Sequence, residues 1–242
     1  MVVMAKRQTV NRCLLISYLK CARRFFSNRK LAEILGLPEP VLSRYVTGRS
    51  LPNEKNSEIL LEKLRKLKLV RRVLEERIEI GRDKLVNMHR VIFDTLFLRM
   101  ASIDAYLEYR DAEIDGVVTA AVNGVPLATL VAETLRTDVC IAKRERDAGE
   151  IEYYSVDVTY PPPSPRTVSF HLPKRLMANK KRVLVVDDLI SSGKTLDALA
   201  RLMDKAGSRI VGLYTLVAVG DEWKDKVPSS LEKIVIIKSV AV

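Results

Sequence analysis

Asp187 and Asp188 stand side by side, and Ser191, Ser192, Gly193, Lys194 and Thr195 follow within seven residues. Two adjacent carboxylates accept hydrogen bonds and donate none, which suits the vicinal hydroxyls of a sugar. Hydroxyl side chains around a glycine at a helix start add main-chain N–H groups and the positive end of a helix dipole, and together these cradle a phosphate. A ribose carrying a 5′-phosphate satisfies both halves of the pattern. GKT also ends the nucleotide-binding loop GxxxxGK[ST], but that loop needs glycine where this chain has Asp188.

Such residues need a strand before them and a helix behind them. RVLVVDDL (182–189) is the clearest strand in the chain; KTLDALARLMDKAG then reads as a helix and SRIVGLYTLVAV (208–219) as the next strand. Upstream, IDGVVTAAV (114–122) reads as a buried strand, GVPLATLVAETLR (124–136) as a helix and TDVCIA (137–142) as another strand. Strands separated by helices of this length predict an α/β fold, a parallel sheet with helices on both faces. Ligands of such sheets bind at the carboxyl ends of the strands, where Asp187 and Asp188 lie.

VLVVDDLISSGKT (183–195) resembles the 5-phosphoribosyl-1-pyrophosphate (PRPP) motif of type I phosphoribosyltransferases, and the likeness extends over most of residues 85 to 240. The resemblance implies that Asp187 and Asp188 hold the ribose hydroxyls and that Ser191, Ser192, Gly193, Lys194 and Thr195 hold the 5′-phosphate. TAAVNGVPLA (119–128) is similar to the family's pyrophosphate loop, which places Ala121, Val122, Asn123 and Gly124 there. Small residues fit that role because main-chain amides must approach the anion closely. A magnesium ion accompanying PRPP, bound mainly through the ligand, is implied as well. CIAKRERDAG (140–149) resembles a segment of the orotate enzymes: Lys143 matches a pyrophosphate-binding lysine, Ala142 replaces an arginine, and Arg144 and Arg146 are nearby cations. By the same likeness a mobile catalytic loop lies between Lys143 and about Phe170, with YPPPSPR (160–166) as a surface excursion.

The charge is divided unevenly. Of a formal net +11, residues 1–90 hold 21 Lys and Arg against 9 Asp and Glu, or +12, and residues 91–242 hold 20 against 21. A basic third joined to a neutral remainder points to a polyanion-binding module, with nucleic acid first, an anionic membrane surface second and a merely solvated basic face as the bland alternative. Residues 9–20 read as a first helix. In SNRKLAEILGLPEPVLSRYVTGRSLPN (27–53), Ser27 or Asn28 caps a helix to Leu35, Gly36 permits a tight turn, and Pro38 or Glu39 opens a second helix that ends near Thr47 and Gly48. Ala32 is small where the helices cross. LAEILGLPEPVLSRYVTG resembles the helix-turn-helix of phage repressors and Cro. That likeness puts the second helix in the major groove of duplex DNA, with Glu39, Ser43 and Arg44 facing base edges and Asn28, Lys30, Arg49 and Ser50 near phosphates. A helical hairpin used for protein contacts is the alternative.

Between the two ends, Glu54 to Arg82 reads as one strong helix. Leu60, Leu64, Leu67, Leu74 and Ile78 form nearly a heptad seam, serving either core packing or dimerisation. A further amphipathic helix is expected over about Asp83 to Ala101. The division is thus a DNA-binding helix-turn-helix (1–52), a helical linker (53–82) and a PRPP- or nucleotide-binding domain (83–242). Trp223 is read as a packing anchor or a base-stacking ring, and His89 and His171 as packing or surface groups. Three scattered cysteines without a CxxC pair disfavour a disulfide framework or a zinc site. Hydrophobic content of 48%, a mean hydropathy of +0.02 and no 18-residue apolar run exclude a disordered chain and a spanning helix. The first twenty residues lack a small-residue cleavage site, so a cytoplasmic location is expected.

A repressor-like module joined to a PRPP fold resembles the archaeal phosphoribosyltransferase-like regulators of the GfcR type and, more distantly, the purine repressor of Gram-positive bacteria. The resemblance implies a homodimer that binds operator DNA and responds to PRPP or a related nucleotide. The competing expectations are an active orotate or purine phosphoribosyltransferase with an autoregulatory DNA-binding extension, and an RNA-binding attenuator on the same fold.

Overall fold

The computed structural model describes residues 2–81, 85–160 and 165–241. Five helices come first: α1 (Val2–Ala22), α2 (Asn28–Leu35), α3 (Glu39–Thr47), α4 (Glu54–Lys66) and α5 (Leu69–Arg77). A small antiparallel hairpin, β1 (Glu79–Ile80) with β2 (Val86–Asn87), leads into the single turn α6 (His89–Ile92) and the long α7 (Thr95–Tyr109). The rest alternates as β3 (Gly116–Ala120), α8 (Val125–Leu135), β4 (Asp138–Ala142), the antiparallel ribbon β5 (Tyr153–Tyr160) and β6 (Arg166–Pro173), β7 (Arg182–Ile190), α9 (Lys194–Ala206), β8 (Arg209–Val219) and β9 (Lys233–Val240).

The five main strands pair in the order β4-β3-β7-β8-β9, all parallel, as the strand and helix alternation requires. Alternate residues of β7 point to opposite faces: Leu184 and Val186 enter the core shared with α7 and α8, and Val183 and Val185 the core under α9 and the ribbon. The first core is continuous from Leu14 of α1 to Val240 of β9. At its centre α7 is buried almost all round, as a helix enclosed by others must be.

Three expected elements differ, and one strand was not expected. The expected helix from Glu54 breaks at Lys68, whose left-handed φ of 48° turns the chain so that Leu69, Val70, Val73 and Leu74 all bury. Leu60, Leu64 and Leu74 of the apparent heptad lie inside this chain's own core, against α1 and α7 and beside β9. The helix expected over 83–101 is replaced by β2, α6 and an α7 that begins at Thr95. Asp94 stops anything longer, because its carboxylate caps α7 by accepting from the N–H groups of Leu96 and Phe97, both at 3.1 Å. In the expected mobile loop, Tyr153–Tyr160 and Arg166–Pro173 are instead paired strands whose Val156, Val158, Phe170 and Leu172 are buried. KIVIIKSV near the end of the chain forms β9, an edge strand not anticipated. Residues 82–84 and 161–164, where the ends of two expected helices and the proline run fall, lie outside the described residues.

A buried carboxyl ties three elements of the first core together. Asp104 of α7 is 8% exposed, accepts a 3.0 Å hydrogen bond from the Tyr214 hydroxyl of β8, and lies close to Tyr18 of α1. Burial pushes its pKa up to about 7; the Tyr214 bond opposes that rise, and the Glu108 charge adds to it. Between the ordinary carboxylate range and about 7 the folded protein therefore keeps a proton that the unfolded chain releases. This contribution is full at low pH and is lost as pH rises through 7. Asp104→Asn keeps an acceptor for Tyr214 and removes the titration. The variant is expected to gain about 1–3 kcal/mol over the parent at pH 8 and to flatten the slope of Tm between pH 5 and 8; a parental slope in the variant would locate the titration elsewhere.

Among the described residues no helix is long and apolar enough to cross a membrane.

Candidate functional site

A cleft of about 1160 Å³ opens at the carboxyl ends of β3, β4 and β7. Ala121, Val122, Asn123, Gly124, Lys143, Asp187, Asp188 and Thr195 all line it, so three separate sequence segments meet on one cavity. Ser191, Ser192, Gly193 and Lys194 ring a smaller adjoining pocket that shares Asp187, Leu189 and Thr195 with the first.

The carboxylate pair is held from beneath. The main-chain N–H of Asp188 donates to Oδ1 of Asp187 at 3.0 Å, and Asp188 is only 7% exposed. Burial pushes both carboxyls above the usual range, and for Asp187 the adjacent Asp188 charge raises it further. Gly124 backs against this pair: a Cβ there would lie 2.6 Å from Oδ1 of Asp187 and 2.7 Å from Oγ1 of Thr119. No side chain fits between the loop and the acids. Hydroxyl donors entering the cleft meet acceptors that water does not fully satisfy, the condition under which charge-assisted hydrogen bonds are strong.

At the turn after β7, Gly193 caps α9 with φ 72°, and a Cβ on it would meet the Cα of Trp223 at 2.8 Å. The first N–H groups of α9 have no acceptor within the helix and face this turn, which is what an anion needs. Lys194 offers its main chain, since its ammonium reaches the Thr159 carbonyl at 3.4 Å and lies 4.3 Å from the Tyr160 ring centre. Trp223 is 4% exposed, and its indole donates to the Gly220 carbonyl at 3.1 Å, so it packs beneath the turn rather than lining the cleft.

Across the cleft the N–H of Ala121 donates to the Ala142 carbonyl at 2.9 Å, the Ala121–Val122 peptide is cis, and Val122 is exposed. Lys143 is locked to His171 by two main-chain bonds, and its ammonium pairs with Asp147 at 2.7 Å. Ala142, where the resemblance would place an arginine, is fully buried beside the ribbon and does not line the cleft. Arg144 and Arg146 do line it, the latter stacked on Tyr153 at 5.5 Å. His171 shares a 2.8 Å hydrogen bond with Ser155, and burial lowers its pKa.

Sequence reasoning missed the cleft's fourth wall. Glu79, Val86, Asn87, Met88 and His89, from the β1–β2 hairpin and α6, face the carboxylates across the opening. The signal was the short alternating run IEI before Gly81, hidden by the helical reading on both sides of it.

In the basic third, α2 is capped by Ser27, whose hydroxyl accepts the Lys30 N–H at 3.2 Å, and Gly36 ends it at φ 64°. Gly36 to Pro38 then turn the chain into α3, with Ala32, Leu42 and Val46 buried. Glu39, Arg44 and Arg49 are exposed, and Ser43, Ser50 and Asn28 are half-buried. Arg44 rests its Nε on the Pro40 carbonyl at 3.3 Å, and Lys30 pairs with Glu33 at 3.2 Å. Arg23, Arg24 and Arg29 add exposed cations that the sequence reading did not single out.

The family model described as phosphoribosyl transferase domain matches residues 99–242. The chain is 30% identical over 118 residues to a probable purine biosynthesis transcriptional regulator of Streptococcus pneumoniae, covering 49% of this chain and 43% of that protein. It is 32% identical over 123 residues to an adenine phosphoribosyltransferase of Clostridium botulinum, covering 50% of this chain and 69% of that enzyme. The chain thus spans less than half the length of the pneumococcal regulator. Among solved structures, the adenine phosphoribosyltransferase of Rhodothermus marinus superposes with a TM-score of 0.57 at 20% identity, over 71% of this chain and 99% of that one.

Proposed function

Because this chain belongs to the phosphoribosyl transferase domain family, we propose that it is a DNA-binding transcription regulator whose cleft takes PRPP or a related nucleotide as effector. The observation that carries the reading is a coincidence within one chain. A cleft with paired carboxylates, Asp188 buried and Asp187 half-buried, and a glycine-turned helix start shares a continuous core with a basic pair of helices around a three-residue turn. The ribose hydroxyls fall to Asp187 and Asp188, the 5′-phosphate to Ser191–Thr195, and the pyrophosphate to residues 121–124 with Lys143. Magnesium would travel with the ligand. The two acids can accept from hydroxyls that also touch the ion, and no cluster of three acidic, His or Cys ligands among the described residues offers it an independent cage. The resemblance to regulators of the GfcR type, and the two half-sites that helix-turn-helix proteins bind, favour a homodimer on duplex DNA.

Binding to duplex DNA from upstream of its own gene, at fixed salt, with and without PRPP and magnesium, tests this reading. A site-specific complex whose affinity PRPP shifts supports it; no specific complex would overturn it. Salt is fixed because phosphate contacts make affinity steeply salt-dependent.

Arg44→Ala is expected to weaken specific binding by about 1–3 kcal/mol, with less effect on nonspecific DNA, because the exposed guanidinium sits on the outer face of α3. Unchanged specific affinity in a gel-shift titration would remove Arg44 from the recognition surface.

A phosphoribosyltransferase is the second reading, favoured by Lys143, Arg144 and Arg146 on the cleft wall, where cations would stabilise departing pyrophosphate. Release of pyrophosphate from PRPP with a nucleobase would establish it.

A further inference from the structure

Arg77 stands at the root of the wall that faces the carboxylates and also touches the turn that leads into the basic helices. Arg77 ends α5, and two residues later the chain starts the hairpin whose Glu79 and Asn87 line the cleft. The Arg77 guanidinium donates to Oδ2 of Asp94 at 2.7 Å and reaches the Arg90 carbonyl at 3.5 Å. On its other side it lies 4.7 Å from the centre of the Phe25 ring. Phe25 belongs to the turn between α1 and α2, two residues before Ser27, the residue that caps α2. Asp94 in turn uses its second oxygen to cap α7, the central helix. Glu79 closes the hairpin against Arg90 at 3.2 Å.

The junction of the helical third with α7 and the sheet combines a closely packed apolar core, which resists small displacements, with polar links such as Arg65–Glu108, Arg110–Glu58, Arg99–Ser17 and Lys238–Glu75. The Arg77 cluster is set apart by its place, beside the cleft-lining hairpin and against the turn into α2. Around Arg77 the contacts are polar and directional, and the side chains of Arg77 and Asp94 are 29% and 17% exposed. A planar guanidinium clamped between a carboxylate and an aromatic face holds one geometry well and loses much of its energy when either partner shifts. A ligand that contacts Glu79 from the cleft acts on the chain just after α5 and, through the Glu79–Arg90 pair, on Arg90, both of which meet the clamp.

We propose that Arg77 is the positioning residue that couples occupancy of the cleft to the setting of α2 and α3. Its contact with Phe25 is the link to the DNA-binding helices, and its bond to Asp94 is the fixed reference. The proposal rests on the regulator reading above and specifies how that regulation is carried.

The test measures the DNA affinity of the full chain with and without saturating PRPP and magnesium, in the parent, in Arg77→Met and in Phe25→Leu. Couplings of this type change affinity by about 5–150-fold. In both variants the ratio of the two affinities is expected to fall towards 1. The dissociation constant for PRPP alone and that for DNA alone should each stay within about 3-fold of the parent, a change smaller than the weakest coupling of this type. A merely structural role would lower Tm and weaken both separate affinities without erasing the ratio, and that outcome overturns the proposal. A parental ratio in Phe25→Leu overturns it too, and remains decisive where Arg77→Met folds poorly. A parent whose DNA affinity ignores PRPP brings down the regulator reading itself, whereas a responsive parent with equally responsive variants brings down the coupling alone.

Discussion

Asp187→Asn combined with Asp188→Asn is expected to abolish the response to PRPP, with a loss of at least about 100-fold in effector affinity, and to leave effector-free DNA binding unchanged. Hydrogen bonds to charged groups are worth about 1.5–3 kcal/mol each, and the pair offers two such acceptors to two sugar hydroxyls, so about 3–6 kcal/mol is at stake. An amide retains one acceptor, but it presents a donor to the sugar hydroxyl where the carboxylate presented a second lone pair. Burial keeps both carboxyls protonated to higher pH than ordinary acids, and at Asp187 the neighbouring Asp188 charge adds to this. Hydroxyl donors bind the ionised form, so PRPP affinity should rise with pH through the range where the pair ionises, and the double variant should lose that dependence. Stability has the opposite sign. A raised folded-state pKa contributes at low pH and is lost as pH rises through it, so the parent should lose stability across the pair's ionisation and the variant should not. Isothermal titration with PRPP and magnesium over the pH range in which the parent stays folded, alongside melting curves, reads both effects. Equal PRPP affinity in variant and parent would refute the ribose assignment.

How much of this cleft was legible follows from how local each part is. Asp187 to Thr195 is a contiguous run in which strand end, turn and helix start all carry their own chemistry, so it could be read directly. The parallel sheet was legible for the same reason: RVLVVDDL and TDVCIA are apolar strands beside helices of ordinary period. The β1–β2 wall was not, because each strand is two residues long and the leucine spacing before it continues smoothly past Lys68. Only the packing of Leu69, Val70 and Leu74 decides that the helix must break there, at a lysine whose type gives no warning. The ribbon differs again: YYSVDVTY alternates, which is a period-two strand signal, whereas the family likeness alone implies a loop over this stretch. Contacts such as Asp104 with Tyr214, 110 residues apart, and Arg77 with Phe25 have no local signature at all.

Gly193→Ala should cost both stability and effector binding, and the reason separates the turn from other glycine turns in the chain. Gly193 and Gly149 both have left-handed φ, 72° and 85°, where a side chain costs about 1–2 kcal/mol. At Gly149 the added Cβ would meet nothing within 4 Å, so strain is its whole cost. At Gly193 it would lie 2.8 Å from the Cα of Trp223 and 2.9 Å from Cγ of Lys226. The lysine stem can swing away, but Trp223 is main chain anchored by its own buried ring, so the turn must move instead. Forced packing of that kind adds about 1–3 kcal/mol, and a shift of about 1 Å carries the first N–H groups of α9 off the phosphate, which costs another factor on the order of 100 in a site built on alignment. Gly193→Ala is therefore expected to lose about 2–5 kcal/mol of stability, from φ strain plus overpacking, and at least 100-fold in PRPP affinity, while Gly149→Ala loses about 1–2 kcal/mol and binds PRPP as the parent does. Denaturant melts and PRPP titrations on the two variants make the comparison. Matched losses would mean that the turn tolerates displacement and that the 5′-phosphate is held somewhere other than the start of α9.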